Sequence, residues 1–113
     1  MDLLTIHIVS AVSTQGAVIE NSWVSSYLVH YSLDGNEWIV LTDKGGEIKE
    51  FNGNLDSSSL RHHWLKPHFH ARFVRFVPLT WVGQRCMRVE LHGCNKAKTS
   101  FEKLSGNLKN GKS

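Results

Sequence analysis

Apolar and polar residues along this chain fall into short runs with the two-residue period of strands, and no segment keeps a helical period. Residues 6–12, Ile6-His7-Ile8-Val9-Ser10-Ala11-Val12, form a β-rich run that ends at the turn signal Thr14-Gln15-Gly16. Residues 23–32 are rich in β-branched and aromatic side chains, and they face residues 38–41 across Asp34-Gly35, a dipeptide suited to a tight turn. Those two runs predict a hairpin. Gly45-Gly46 and Asn52-Gly53-Asn54, followed by the polar residues 56–63, predict loops around short strands. Phe69, Ala71, Phe73, Val74, Phe76 and Val77 mark a long strand that Pro78 is expected to end. After a connection over residues 79–85, Met87, Val89 and Leu91 alternate with Cys86, Arg88 and Glu90. Short strands at close spacing predict an all-β antiparallel sandwich or barrel.

Composition narrows this further. With 113 residues, 41% of them hydrophobic and 20% charged, the chain is sized for one domain. No run of eighteen apolar residues is present, so the sequence predicts no transmembrane segment. The formal charge of +3 is misleading: residues 95–113 carry Lys96, Lys98, Lys103, Lys109 and Lys112 against Glu102, a local +4 that leaves −1 for the body. Nucleic-acid binding needs cations clustered on a folded face, so none is expected here. The polar end, residues 95–113, reads as a disordered, solvated tail behind a domain of residues 1–94. Asp2 directly follows Met1 without a basic stretch, so no secretory signal is read.

In order, the pieces match one family. They are the run ending in Thr14-Gln15-Gly16, then Trp23-Val24-Ser25-Ser26-Tyr27, then Tyr31-Ser32-Leu33-Asp34-Gly35-Asn36-Glu37-Trp38. Phe51-Asn52-Gly53-Asn54-Leu55-Asp56, Ala71-Arg72-Phe73-Val74-Arg75-Phe76-Val77-Pro78, Thr80-Trp81 and Met87-Arg88-Val89-Glu90-Leu91-His92-Gly93-Cys94 complete the series. Taken together these resemble the discoidin domain, also called the coagulation factor V/VIII C-type domain, over residues 2–94. The resemblance implies a discoidin-like jelly-roll barrel that lacks its first strands, because the family's Asp-Leu-Gly stands here as Asp2-Leu3-Leu4 with nothing of the family's front before it. It implies that Cys94 is half of a disulfide whose other half is absent, leaving a free thiol or a bond between chains. Cys86 is no substitute: eight extended residues separate the two by about 26 Å, against a limit of about 7 Å. Cys86 reads as a small strand residue.

The resemblance also implies a non-catalytic extracellular adhesion module that binds membrane phospholipid, a surface glycan or an extracellular protein through loops at one end of the barrel. It implies no cofactor. One such loop is Ala17, Val18, Ile19, Glu20, Asn21 and Ser22. Val18 and Ile19 are either an apolar spike or the end of a strand folding back. Strand parity brings residues 80–85 to the same rim, adding Val82, Gln84 and Arg85. Ala17 stands where relatives that bind acidic or collagen-type ligands often carry arginine, which lowers the collagen reading, with Arg85 as an alternative source of rim charge.

Other chemistry is weaker. His68 and His70 share a strand face beside His62 and His63, yet no cysteine pair or carboxylate lies at a ligand interval, so no metal is expected. The histidines read instead as surface residues flanking Trp64 and Phe69, which are expected to bury. Where some relatives hold calcium with a carboxylate, Arg88 stands, and it is expected to form a partly buried ion pair. No Ser, His or Asp occupies a catalytic context, and Asp56 reads as a turn stabiliser. Trp23, Trp38 and Trp81 match core or core-edge positions.

Overall fold

The computed structural model describes residues 1–95 and 101–109. Seven strands make up its regular structure: β1 (Asp2–Gln15), β2 (Trp23–Ser32), β3 (Ile39–Val40), β4 (Phe51–Asn52), β5 (Arg61–Val82), β6 (Cys86–Asn95) and β7 (Phe101–Lys109). Every pairing is antiparallel, in a single sheet of order β3-β2-β5-β1-β6-β7 with β4 also on β2. This is the all-β discoidin-like architecture, built as one curled sheet that forms half a barrel.

The curl comes from β5. Its first half pairs with β1, from Arg61 opposite Thr14 to Phe73 opposite Asp2, and its second half pairs with β2, from Phe73 opposite Ser32 to Val82 opposite Trp23. A 22-residue strand shared in this way must bend, and irregularities between Val9 and Ala11 of β1 and between Val24 and Tyr27 of β2 supply the local twist. The irregularity at Ser10 also reverses parity along β1: Val9 and Val12 both face the core, whereas Ser13 belongs to the other face. Val12, Val24, Tyr27, Val29, Phe51, Leu65, Phe69, Val74, Phe76, Met87 and Leu91 fill the concave side.

Several expectations change. β1 begins at Asp2 and β5 at Arg61, earlier than the hydrophobic runs start, because pairing with an existing neighbour extends a strand past its apolar stretch. Pro78 does not end β5. It lies opposite Tyr27 beside an irregularity in the ladder that accommodates its missing N–H, and the strand runs on to Val82. Only Ile39–Val40 of the expected second hairpin strand is regular. Phe69 buries as expected, but Trp64 remains 73% exposed, because it falls on the convex face while its neighbour Leu65 takes the core position. Within the predicted solvated tail, Phe101–Lys109 forms β7 against β6, whose backbone edge would otherwise be open; residues 96–100 and 110–113 lie outside the described residues.

Two histidines couple this fold to pH. Burial pushes the His63 imidazole below its ordinary range, the carbonyl of Asn52 at 2.6 Å opposes that shift, and Arg61, Lys49 and His62 add to it. Burial, then Arg75, lowers His30 in the same direction. A lowered folded-state value means the unfolded chain takes up the proton first, so stability present above about pH 6.5 is lost as pH falls through that value. Thermal melts should show a lower midpoint at pH 5.5 than at pH 7.5, and a flatter dependence in a His30→Asn, His63→Gln variant.

Candidate functional site

Backbone chemistry makes the first rim loop a spike. Ala17 and Ser22 exchange N–H···O bonds of 2.8 and 3.2 Å, and Asn21 N–H donates to the Val18 carbonyl at 3.1 Å. Asn21 sits at φ 45°, a left-handed conformation that asparagine tolerates well. Residues 18–21 thus form a tight turn whose ends are tied by backbone hydrogen bonds, with the side chains of Val18 and Ile19 exposed at its tip. Ile19 is 97% exposed and Val18 is also exposed, so of the two readings of this pair the turn is the one observed.

The second loop is held against the first. Ser22, itself buried, accepts the Gln84 N–H on Oγ at 3.0 Å. Gly83 adopts φ +74°, and a side chain there would collide with the Ser22 hydroxyl; glycine is what lets the two loops touch. Val82 and Gln84 are exposed on this rim, with Arg85 partly covered beside them. The Arg85 guanidinium lies 4.9 Å over the ring of Trp81. Trp23 and Trp38 are half-buried, but Trp81 is exposed, a correction to its expected core-edge place: it follows the irregular part of the β2–β5 ladder and lies beyond the filled concave side.

A third loop joins them that sequence reading left out of the site. Gln15 Nε2 donates to the Ser58 carbonyl, Ser57 Oγ donates to Asn21 Oδ1 at 3.4 Å, and buried Asn54 donates from Nδ2 to the carbonyls of Thr14 and Ser59, both at 2.9 Å. Asp56 stabilises the turn: Oδ1 accepts the N–H of Ser59 at 2.7 Å and of Ser58 at 3.1 Å. Those bonds, the Ser59 N–H foremost, hold its carboxyl below the usual carboxylate range. Leu55 is 82% exposed on this loop. Its only signal in the sequence was an apolar residue set between Asn54 and Asp56.

Arg88 is exposed and donates from Nε to the Gly16 carbonyl at 3.1 Å, so its described partner is backbone at the foot of the first loop rather than the expected acid. Among the described residues no three metal-ligating side chains converge, and His68 and His70 are both exposed. Cys86 is buried, Cys94 is partly exposed, and both are free thiols in the described chain.

The order of these strands and loops has a counterpart in known proteins: residues 1–91 match the model of the F5/8 type C domain. The chain belongs to that family. F5/8 type C domains are generally non-catalytic adhesion and binding modules. It is 37% identical over 95 residues to mouse retinoschisin, covering 83% of this chain and 42% of the relative. It is 39% identical over 97 residues to mouse EGF-like repeat and discoidin I-like domain-containing protein 3, covering 83% and 20%. Among solved structures it is similar to recombinant discoidin II of Dictyostelium discoideum, with a TM-score of 0.71 and 29% identity over 80% of this chain and 34% of that one. The chain therefore spans less than half the length of these relatives. No helix among the described residues is long and apolar enough to cross a membrane.

Proposed function

We propose that this F5/8 type C chain acts outside the cell as an adhesion module that docks on phospholipid membranes through the tips of its three adjacent loops. The observation that carries this reading is the Val18–Ile19 turn, whose apolar side chains lie exposed at the tip of a loop closed by backbone hydrogen bonds between Ala17 and Ser22 and between Asn21 and Val18. Such a tip suits the headgroup and acyl boundary, where apolar side chains are buried while polar backbone still meets water and headgroups. Leu55, Trp81 and Val82 widen the apolar contact, and Arg85 supplies a cation at headgroup level. A glycan-reading rim would instead present mainly hydrogen-bonding side chains at its tips, whereas here Ile19, 97% exposed, and Leu55, 82% exposed, stand among the tip residues.

Burying two aliphatic side chains of this size contributes roughly 1.5–3 kcal/mol each. Replacing them with aspartates also adds repulsion from anionic lipid. In flotation with phosphatidylserine-containing vesicles, Val18→Asp with Ile19→Asp should weaken binding about 100-fold, with the melting temperature unchanged because both residues lie outside the core. Unchanged flotation of the folded double variant would overturn membrane docking by these loops.

A further inference from the structure

The convex side of the β2–β5 half of the sheet carries a cation that is held in place without a counter-charge. Val74 and Phe76 of β5 and Tyr27 and Val29 of β2 bury on the concave side, so the alternating residues Arg75, Val77, Leu28 and His30 lie on the convex side. Register places His30 opposite both Arg75 and Val40, and Leu28 opposite Val77. Val40, His30 and Arg75 thus form one row across β3, β2 and β5, with an apolar pair in the next row. We propose that this face docks an extended acidic segment of a partner protein, whose carboxylate pairs with the Arg75 guanidinium while an aliphatic side chain two positions along covers Leu28 and Val77.

Arg75 is positioned rather than loose. Its guanidinium lies 3.9 Å from the centre of the Trp38 ring, and Trp38 meets Phe73 edge-on at 6.4 Å and 62°. Stacking of this kind restrains the long side chain while leaving its in-plane N–H donors able to meet a carboxylate with both arms of the fork. Among the described residues no carboxylate lies within ion-pair distance of Arg75. The acids of neighbouring segments do not supply one. Asp2 holds Arg72 by bonds of 3.1 and 3.3 Å, Asp34 Oδ1 accepts the N–H of Asn36 at 2.8 Å and of Glu37 at 3.0 Å within its own turn, and the Glu37 side chain is exposed. Arg75 is half-buried, as are His30, Val40, Leu28 and Val77, so an arriving carboxylate meets a partly dehydrated cation and gains more than it would at a fully exposed one. Burial, then the Arg75 charge, holds the His30 imidazole below its ordinary range, which keeps this neighbour neutral at pH 7. The cation and the apolar pair stand two residues apart along each strand, roughly 7 Å, the spacing of side chains i and i+2 on one face of an extended peptide.

This patch is separate from the loop tips: Arg75 and Val82 are seven residues apart on β5, roughly 24 Å along the strand. The capped peptide Glu-Thr-Val-Thr-Glu-Thr-Val-Thr repeats an acid and an aliphatic residue at the required spacing, and its titration into the full chain can be followed by two-dimensional NMR. At low ionic strength it should shift the Trp38 indole N–H, the Arg75 Nε–H and the backbone amides of Leu28 and His30. It should also raise the His30 pKa, because the docked carboxylate opposes the Arg75 charge that lowers it. Replacing both glutamates of the peptide by glutamine should weaken binding about tenfold, the loss of one charge-assisted pair, with the protein itself unaltered. Arg75→Gln should weaken it by a similar factor, and Arg75→Lys, which keeps the charge and loses the fork, should fall between that variant and the parent. Val18→Asp with Ile19→Asp should bind the peptide as the parent does, so the two sites are separately testable. The proposal is overturned if the parent chain fails to bind the peptide, if the glutamine form binds equally well, or if folded Arg75→Gln binds like the parent. Binding lost only on replacing Lys103 and Lys109 of the basic end would equally overturn it.

Discussion

Replacing Tyr27 by alanine is expected to cost about 3–5 kcal/mol of stability, the range for removing a large aromatic side chain from a core. Its ring is fully buried, stacks on Phe51 at 5.2 Å and 8°, and meets Phe76 at 5.8 Å. It thereby joins β2, β4 and β5 where the sheet curls. A domain of this size has roughly 5–15 kcal/mol in total, so urea titration should find the midpoint displaced by a large fraction of its value. Tyr27→Phe separates packing from polarity. Burial pushes the Tyr27 phenol well above its ordinary range, the nearby Thr14 hydroxyl and Arg61 oppose that shift, and the Tyr27 and Thr14 hydroxyls and the Asn54 amide oxygen are buried without a well-formed hydrogen bond among the described residues. Deleting a buried hydroxyl that makes no good bond should change stability by no more than about 1 kcal/mol, and in the stabilising direction. A loss in Tyr27→Phe comparable to that of Tyr27→Ala would show that the hydroxyl, not the ring, matters.

Gly93→Ala is the second large effect, and its cause is backbone rather than side chain. Gly93 of β6 lies opposite Val9 at the irregularity in β1, where a Cβ would overlap the Ile8 carbonyl oxygen and come within 2.9 Å of its carbon. Neither strand can yield without breaking the β1–β6 ladder, so a cost of about 3 kcal/mol follows, at the upper end for overpacking. Hydrogen exchange should locate the damage: amides of β1 and β6 should lose protection in Gly93→Ala, whereas those of β2 paired with the second half of β5 should lose much less. Uniform loss across the sheet would show that the half-barrel opens only as a unit. Because β1 leads directly into residues 17–22, the same substitution should also weaken vesicle binding, through the position of the spike rather than its chemistry.

The strands were legible where one face is apolar and the other polar. Met87, Val89 and Leu91 announced β6 on their own, and the neighbourhood of the first and second rim loops followed from strand parity before any contact between Ser22 and Gln84 was seen. Local chemistry also declared the Asp56 turn, because an Asp two and three residues ahead of backbone N–H groups needs no distant partner. Legibility failed where a residue's place depends on a remote neighbour. Pro78 reads as a terminator in isolation, yet an irregular ladder opposite Tyr27 absorbs it. Trp64 reads as core by composition, yet register with Ala11 puts it outside. Arg88 found the Gly16 carbonyl, a partner 72 positions away that no local pattern announces.

Sequence alone therefore determined the strand content, the turn positions and the apolar character of residues 18 and 19, since these depend on side-chain periodicity and on the few residues that tolerate tight backbone. Tertiary structure decided which strands share β5, that the sheet curls into a half-barrel, that Leu55 joins the rim, and that Trp64 stays exposed on the convex face. The reason is physical: a strand specifies which of its faces is apolar, but the neighbour that covers that face is chosen by long-range pairing, whose register no local segment carries.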